Sequence, residues 1–160
     1  MTKESQFNEV LQSAKRALDH IGVKFHLHAG TALGAHRDKT FIPHDHDIDL
    51  GVFYEDINTP AKVTELKKAM RDEGFSTDIT TIGKLHEGYE LQFEKDEVPL
   101  DIFWVYEGNY KGKEYHILAS YYGMCDKLPK KMCVWGYGRY TPINIEFLGS
   151  CSCKCPSYDT

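Results

Sequence analysis

The feature that most constrains this chain is a pair of acidic residues, Asp47 and Asp49, at the start of an apolar run that continues to Phe53. Alternate residues of a β-strand point to the same face, so a strand that begins here projects both carboxylates from one side. Like charges held this close repel one another unless a cation lies between them. Carboxylate oxygens suit Mg2+ or Mn2+ better than zinc. The pair therefore predicts a divalent metal site at the beginning of a strand.

A small-residue turn, Gly30-Thr31, precedes the acidic pair and opens a short predicted helix that ends near Arg37. The N-terminus of a helix presents backbone N–H groups that bind phosphate, and glycine lets the phosphate approach closely. Thr31 adds a hydroxyl, and the guanidinium of Arg37 offers a forked donor to phosphate oxygens. These three residues are predicted to contact a phosphate group. The alternative is a plain connection between a strand and a helix, with a solvent-facing arginine.

A third carboxylate, Asp101, lies within the apolar run Leu100–Trp104, which we predict to be a strand. A buried carboxylate is costly unless it is paired or bound to a metal. We therefore expect Asp101 to converge with Asp47 and Asp49 on the same metal site. The alternatives are a half-exposed strand position and an ion pair with lysine or arginine.

Hydrophobic periodicity predicts a chain of mixed α and β structure. Apolar residues at helical spacing predict helices over 4–21 and from Thr59-Pro60 to Gly74. Alternating patterns predict further strands at 23–27, 75–82, 89–94 and 98–106. His26 and His28 share one face of the first of these strands. We expect them at half-exposed polar positions rather than on a metal, because no third ligand is indicated nearby.

Length and charge limit the classes of protein that the chain can represent. Its 160 residues predict a single domain over 1–160. A net charge of −5 and a pI near 5.9 argue against general nucleic-acid binding. The sequence has neither an apolar run long enough to span a bilayer nor an N-terminal signal segment. We expect a cytoplasmic chain, although a location on a membrane surface stays open.

The five cysteines are unevenly placed, with three of them, Cys151, Cys153 and Cys155, close together near the C-terminus. An odd number of cysteines without a signal peptide argues against a disulfide framework. Thiolates are good zinc ligands, so one alternative is a zinc site formed by these three residues. The other alternative, ordinary free thiols, is favoured because the spacing lacks the C-x2-C pattern of common structural zinc sites.

The motifs together resemble the LicD/fukutin family of the nucleotidyltransferase superfamily related to DNA polymerase β. The resemblance rests first on the segments 30–37, 41–43 and 45–49. It is closest to the fukutin-like phosphotransferases and extends through the segments 47–53, 83–84, 89–93 and 100–107. It covers about half of the chain, roughly from Phe25 to Tyr106.

This resemblance implies an α+β nucleotidyltransferase fold, with a mixed β-sheet flanked by helices. It also implies a phosphotransferase that depends on Mg2+ or Mn2+ and moves a phospho-alditol or phosphocholine group onto a hydroxyl of a glycan or glycolipid. The implied donor is CDP-linked, such as CDP-ribitol or CDP-choline. Sequences of the family continue into a segment that ends Tyr-Gly-x-x-Trp, whereas this chain stops at Thr160. We therefore expect either that the C-terminal end of the domain is truncated or that the chain lacks part of the acceptor side.

The acidic residues and the phosphate-binding residues receive separate roles in this interpretation. Asp47 and Asp49 are expected to bind the metal. Asp101 is expected to complete the metal site and to accept the proton of the acceptor hydroxyl. Gly30 and Thr31 would hold the diphosphate and Arg37 would offset its charge, while Lys84 is a weaker candidate for phosphate contact. The alternative for Lys84 is a solvent-exposed loop lysine.

Three other functions stay open at this point. A nucleotidyltransferase that moves a nucleotide onto a protein or small molecule is the nearest, and it would release pyrophosphate rather than CMP. A metal phosphohydrolase could use His44-Asp45-His46-Asp47, but hydrolases of the HD type are helical and this stretch leads into a strand. A non-catalytic relative would keep the fold without binding a metal.

Overall fold

A computed structural model describes residues 2–122, 131–138, 143–147 and 151–155, with side chains described for 2–109 and 111–117. The helices are α1 (Lys3–His20), α2 (Ala29–Asp38) and α3 (Pro60–Asp72). The strands are β1 (His26–Leu27), β2 (Ile48–Phe53), β3 (Thr80–Lys84), β4 (Glu87–Lys95), β5 (Val98–Tyr110), β6 (Lys113–Tyr122), β7 (Lys131–Gly138), β8 (Ile143–Phe147) and β9 (Cys151–Cys155).

Seven of the described strands form one mixed sheet. Its central path runs β1-β2-β5-β4-β3, β6 pairs with β5, and β7 pairs with β6. The β2–β5 pair is parallel and the other pairs are antiparallel. The strands β8 and β9 pair with each other in a separate antiparallel hairpin. The predicted mixed sheet flanked by helices is confirmed.

The two faces of the sheet differ because side chains alternate along each strand. One face of β2 carries Ile48, Leu50 and Val52, which are fully buried in the hydrophobic core. The core is completed from the helices by apolar residues such as Leu11 of α1 and Leu66 of α3. The opposite face of β2 carries Asp49. The helices therefore cover one face, and the acidic residues project from the other.

The predicted helices over the first 21 residues and after Thr59 are confirmed. The Thr2 hydroxyl accepts a hydrogen bond from the Ser5 N–H at 3.1 Å, and the Thr59 hydroxyl accepts one from the Lys62 N–H at 3.2 Å. Side-chain oxygens at these positions satisfy N–H groups that have no partner within the helix. Pro60 follows in the first turn of α3, where the absence of its own N–H costs nothing.

Two strands begin later than the sequence predicts. Strand β1 starts at His26 rather than residue 23, and β3 starts at Thr80 rather than residue 75. In both places the first residues of the predicted strand instead cap the preceding helix. The Val23 N–H donates a hydrogen bond to the Leu18 carbonyl of α1, and the Phe75 N–H donates one to the Met70 carbonyl of α3, each at 3.0 Å. The glycine before each of them has a positive φ, as this type of C-terminal helix cap requires.

Candidate metal centre

Three aspartates converge at one point of the sheet face opposite the helices. Asp49 of β2 and Asp101 of β5 are direct partners in the parallel register, so their side chains leave the sheet side by side. Asp47 lies two residues before Asp49 in the chain. One carboxylate oxygen from each of the three residues lies within 4.8 Å of the others. The structure therefore brings together the three acidic residues that the sequence singled out.

The electrostatics of this cluster favour protonated carboxyl groups in the absence of a cation. Burial, followed by the charges of Asp47 and Asp101, raises the pKa of Asp49 to about 8. Burial, followed by the charges of Glu90 and Asp47, raises the pKa of Asp101 to about 7. The pKa of Asp47 is also raised, mainly by burial and then by the charge of Asp45. Burial and the neighbouring carboxylates thus destabilise the charged forms of Asp49 and Asp101.

The donor set fits a divalent cation. The ion pairs of the described side chains involve other acidic residues, and none of them reaches Asp47, Asp49 or Asp101. A cation held by all three carboxylates would offset the repulsion that raises their pKa values. Oxygen ligands alone suit a hard cation, although they leave its identity open.

The N-terminus of α2 is joined directly to the metal centre. The hydroxyl oxygen of Thr31 accepts a hydrogen bond from the Asp49 N–H at 2.9 Å, and Thr31 is fully buried. On the same residue, the Asp49 carbonyl accepts a hydrogen bond from the His28 N–H at 2.9 Å. These two contacts fix the backbone of Asp49. The phosphate contact expected of Thr31 stays a prediction.

Gly30 lies against the carboxylate of Asp45, a residue that the sequence suggested only as part of the alternative phosphohydrolase motif. A Cβ atom placed on Gly30 would lie 2.7 Å from Oδ2 of Asp45, so the absence of a side chain allows this close approach. Asp45 also contributes to the raised pKa values of Asp47 and Asp49. Its spacing of two residues from Asp47 is the sequence feature that could have identified Asp45 as part of the site. The carboxylate of Asp45 thus lies at the helix end where Gly30 was expected to meet phosphate.

The two basic candidates lie apart from this arrangement. The Nε atom of Arg37 forms an ion pair with Oδ2 of Asp38 at 3.0 Å, and both side chains are exposed. Lys84 is exposed at the end of β3. Among the described side chains, no hydrogen bond or ion pair joins either residue to the three aspartates. Their contact with phosphate stays a prediction.

The expectation that His26 and His28 are half-exposed is wrong. Both rings are buried, with exposures of 1% and 6%, because they pack against aromatic rings on the face opposite the helices. The His26 ring centroid lies 5.1 Å from that of Phe53, and the His28 centroid lies 5.4 Å from that of Phe103. Burial is the main cause that lowers the pKa of His26 to about 3 and that of His28 to about 4. Both imidazoles are therefore neutral at physiological pH.

Strand β4 adds two polar residues that the sequence analysis passed over, Glu90 and Gln92. They alternate with apolar residues in Tyr89–Phe93, and this pattern was the available signal. Gln92 is the direct partner of Asp101, and Glu90 is the partner of Phe103. Both therefore lie on the same face as the aspartates.

Two further expectations concern the C-terminal cysteines and a helix that could span a membrane. The side chains of Cys151, Cys153 and Cys155 lie outside the described part of the structure, so the zinc site stays a prediction. Within the described residues, no helix has the length and apolar character that are needed to cross a membrane.

The fold and the acidic cluster together define a nucleotidyltransferase-fold protein with a carboxylate site suited to a divalent cation. A solved structure supports this fold. The crystal structure of ANT(2")-Ia in complex with adenylyl-2"-tobramycin aligns with 97% of this chain and 71% of that chain, with a TM-score of 0.50 and 16% identity. At this identity the likeness concerns the fold alone.

The family follows from the sequence comparison. Residues 22–131 match the family model described as LicD/FKTN/FKRP, nucleotidyltransferase domain. The match includes all three clustered aspartates and covers more than half of the chain, so the chain belongs to this family.

Curated relatives agree with this assignment. The chain is 39% identical to ribitol-5-phosphate transferase FKTN of Macaca fascicularis and 38% identical to that of Homo sapiens, in each case over 100 residues. It is 28% identical over 95 residues to ribitol 5-phosphate transferase FKRP of Homo sapiens. The two FKTN matches cover 62% of this chain and 20% of each relative. The FKRP match covers 58% of this chain and 19% of that relative. The chain thus matches about a fifth of the length of these proteins.

Proposed function

We propose that the chain is the catalytic domain of a metal-dependent phosphotransferase, which moves a phospho-alditol or phosphocholine group from a CDP-linked donor to a hydroxyl of a glycan or glycolipid. The observation that carries this proposal is the convergence of three carboxylate oxygens within 4.8 Å in a member of the LicD/FKTN/FKRP family. The similarity to ribitol-5-phosphate transferases favours ribitol phosphate as the transferred group. We further propose that residues 1–160 form one domain.

In this proposal, Asp47 and Asp49 hold Mg2+ or Mn2+ and Asp101 completes the site. When bound, the cation supplies positive charge to the phosphate oxygens and to the leaving group. Gly30 and Thr31 would hold the diphosphate of the donor, Arg37 would offset its charge, and Lys84 is a weaker candidate for phosphate contact. Displacement of the Asp45 carboxylate from Gly30 would make room for a phosphate group at the N-terminus of α2.

The proposed reaction is an in-line displacement at the phosphorus that carries the alditol or choline. The acceptor oxygen forms a bond to this phosphorus, and the bond from phosphorus to the oxygen of CMP breaks. CMP leaves with the electron pair of that bond. Asp101 accepts the proton of the attacking hydroxyl.

The test measures donor binding and the released nucleotide separately. Titration calorimetry with Mn2+ compares CDP-ribitol, CDP-choline and CTP on the unaltered chain, on Asp49→Asn and on the control Asp78→Asn, whose carboxyl group is exposed. We expect a CDP-linked donor to bind to the unaltered chain and to the control, but not to Asp49→Asn. We also expect CMP to be released when an acceptor is present.

Each rival function predicts a different product. Preferred binding of CTP with release of pyrophosphate would replace the proposal with nucleotidyl transfer to a protein or small molecule. Donor hydrolysis that no acceptor accelerates would favour a metal phosphohydrolase. Failure to bind Mn2+ and every nucleotide would favour a non-catalytic relative.

A further inference from the structure

Strand β4 places a carboxylate and an amide beside Asp101, on the side of β5 that faces away from β2. Gln92 is directly opposite Asp101 in the antiparallel pair of β4 and β5. Direct partners in such a pair have Cβ atoms about 5 Å apart. Glu90 lies one step further along the same face, opposite Phe103. Gln92 and Glu90 are therefore the side chains of β4 that share this face with Asp101.

The environment of Glu90 is unusual for a carboxylate. Its exposure is 4%, and its hydrogen-bond partner among the described residues is the amide of Gln92, with 3.4 Å between Nε2 and Oε1. The ion pairs of the described side chains do not include Glu90. A buried carboxylate without a cationic partner is costly, and such groups are found mainly at functional sites.

Glu90 is not a member of the three-aspartate cluster. The group of carboxylate oxygens within 4.8 Å of one another consists of Asp47, Asp49 and Asp101. Glu90 therefore has acceptor oxygens that the metal centre does not use, and the adjacent Gln92 has both a donor and an acceptor. A carboxylate next to an amide is chemically complementary to two neighbouring hydroxyl groups, each of which can donate and accept.

We propose that Glu90 and Gln92 bind neighbouring hydroxyl groups of a polyol substrate and thereby determine its specificity. This inference rests on the proposed phosphotransferase function. The hydroxyl groups can belong to the sugar acceptor or to the alditol of the donor, since both meet at the phosphorus beside Asp101. Choline has no neighbouring hydroxyl groups, so a choline-bearing donor cannot make this contact.

The experiment uses three variants of β4 that keep the aspartates intact. Glu90→Gln removes the charge at nearly constant shape, and Gln92→Leu removes the amide. Glu94→Gln is the control, because the same substitution is made at an exposed position of the same strand. Thermal unfolding first checks that each variant folds, and titration with Mn2+ alone checks that the metal centre is retained.

Two readouts then separate the two sources of the hydroxyl groups. If they belong to the donor, Glu90→Gln raises the Kd of CDP-ribitol about tenfold or more and leaves that of CDP-choline unchanged. If they belong to the acceptor, both Kd values stay the same. In that case the KM of a neutral methyl glycoside rises about tenfold, and the variant no longer prefers this glycoside over its monodeoxy analogues. Gln92→Leu shows the same pattern, and Glu94→Gln shows neither change.

Several results would overturn the inference. Unchanged Kd and KM values in Glu90→Gln exclude hydroxyl recognition by this residue. Loss of Mn2+ affinity assigns Glu90 to the metal centre, and an equal loss of CDP-ribitol and CDP-choline affinity assigns it to the part that the two donors share. If the unaltered chain neither binds a CDP-linked donor nor releases CMP, the proposed function itself fails and the inference falls with it.

Discussion

At the scale of single residues, the site consists of three carboxyl groups. Among the described side chains, none of the three forms an ion pair with a lysine or arginine. Asp47, Asp49 and Asp101 have raised pKa values, whereas the buried imidazoles of His26 and His28 have lowered ones. On unfolding, the pKa values of the aspartates fall and those of the histidines rise. Their balance makes the stability of the metal-free protein depend on pH in a way that can be measured.

The first prediction concerns the pH range between about 7.5 and 8. At about one pH unit above the ordinary histidine pKa of 6.5, both imidazoles are almost entirely neutral in the folded and the unfolded state. Asp49 still holds a proton in the folded state up to a pKa of about 8, whereas the unfolded chain has already released it. The folded state then binds more protons, so the free energy of unfolding falls as the pH rises, by at most about 1.4 kcal/mol per pH unit for each proton.

Thermal unfolding in EDTA measures this fall. Asp49→Asn should remove most of the decrease, because an amide does not titrate. Added Mn2+ should reduce or reverse it, since metal binding requires ionised carboxylates and gains affinity as the pH rises. A decrease of equal size in Asp49→Asn would contradict the assignment of the effect to the acidic cluster.

The second prediction tests the hydrogen bond between the Thr31 hydroxyl and the Asp49 N–H. Thr31→Val keeps the shape of the side chain but leaves a part-buried N–H without its acceptor, at a cost of about 1–3 kcal/mol of unfolding free energy. The affinity for Mn2+ should also fall, because the backbone of Asp49 is less firmly held. Denaturant unfolding and metal titration measure the two effects. Thr31→Ser keeps the hydroxyl and should retain both properties; equal losses in Thr31→Ser would point to the missing methyl group instead.

At the scale of elements, α2 is held closely against the segment that leads into β2. A Cβ atom on Gly34 would lie 2.5 Å from the Thr40 carbonyl oxygen and 3.1 Å from the Ile42 nitrogen. The helix can approach this backbone only because residue 34 has no side chain. The position of α2 in turn places the Thr31 hydroxyl within hydrogen-bond distance of the Asp49 N–H. The close packing at Gly34 therefore contributes to the geometry of the metal centre.

The third prediction is that Gly34→Ala destabilises the protein despite the better helix propensity of alanine. Propensity alone would stabilise α2 by about 1 kcal/mol. The contact with backbone atoms that cannot rotate away should outweigh this gain and give a net loss of about 1–3 kcal/mol. Denaturant unfolding measures it, with the reverse substitution Ala61→Gly at an exposed site of α3 as a calibration of propensity. A net gain in stability for Gly34→Ala would show that α2 moves freely.

The elements show which parts of the structure were accessible to sequence reasoning. Local signals, such as the Thr59-Pro60 helix start and the Asp-x-Asp strand start, predicted α3 and β2 well. The starts of β1 and β3 were misplaced because alternation continues into the residues that cap the preceding helices. Burial of His26 was also missed, since it depends on packing against Phe53 of another strand. Such contacts between distant segments are not encoded in the local pattern.

At the scale of the whole molecule, the sheet separates two functions. Its helix face stabilises the fold by burying apolar side chains from α1 and α3, and its opposite face carries the acidic cluster. Leu66 of α3 is fully buried on the first side, and Leu33 of α2 is 46% exposed. Mutations on the helix face should therefore change stability without changing the chemistry of the site.

The fourth prediction is that Leu66→Ala lowers the free energy of unfolding by about 2–5 kcal/mol, because it leaves a cavity in the core. The Mn2+ affinity of the folded protein should stay unchanged, since no aspartate moves. Chemical unfolding and metal titration at a temperature where the variant is folded measure the two quantities. Leu33→Ala, at an exposed position, should change stability by no more than about 0.5 kcal/mol. A parallel loss of Mn2+ affinity in Leu66→Ala would contradict the independence of the two faces.

The parallel pairing of β2 with β5 has a consequence for the order in which the protein assembles. Asp49 and Asp101 are separated in the chain by α3, β3 and β4, so their pairing is a long-range contact that closes a large loop at a cost in entropy. We therefore expect the acidic cluster to form after the folding transition state. In stopped-flow experiments, Mn2+ should then slow the unfolding rate while leaving the refolding rate nearly unchanged.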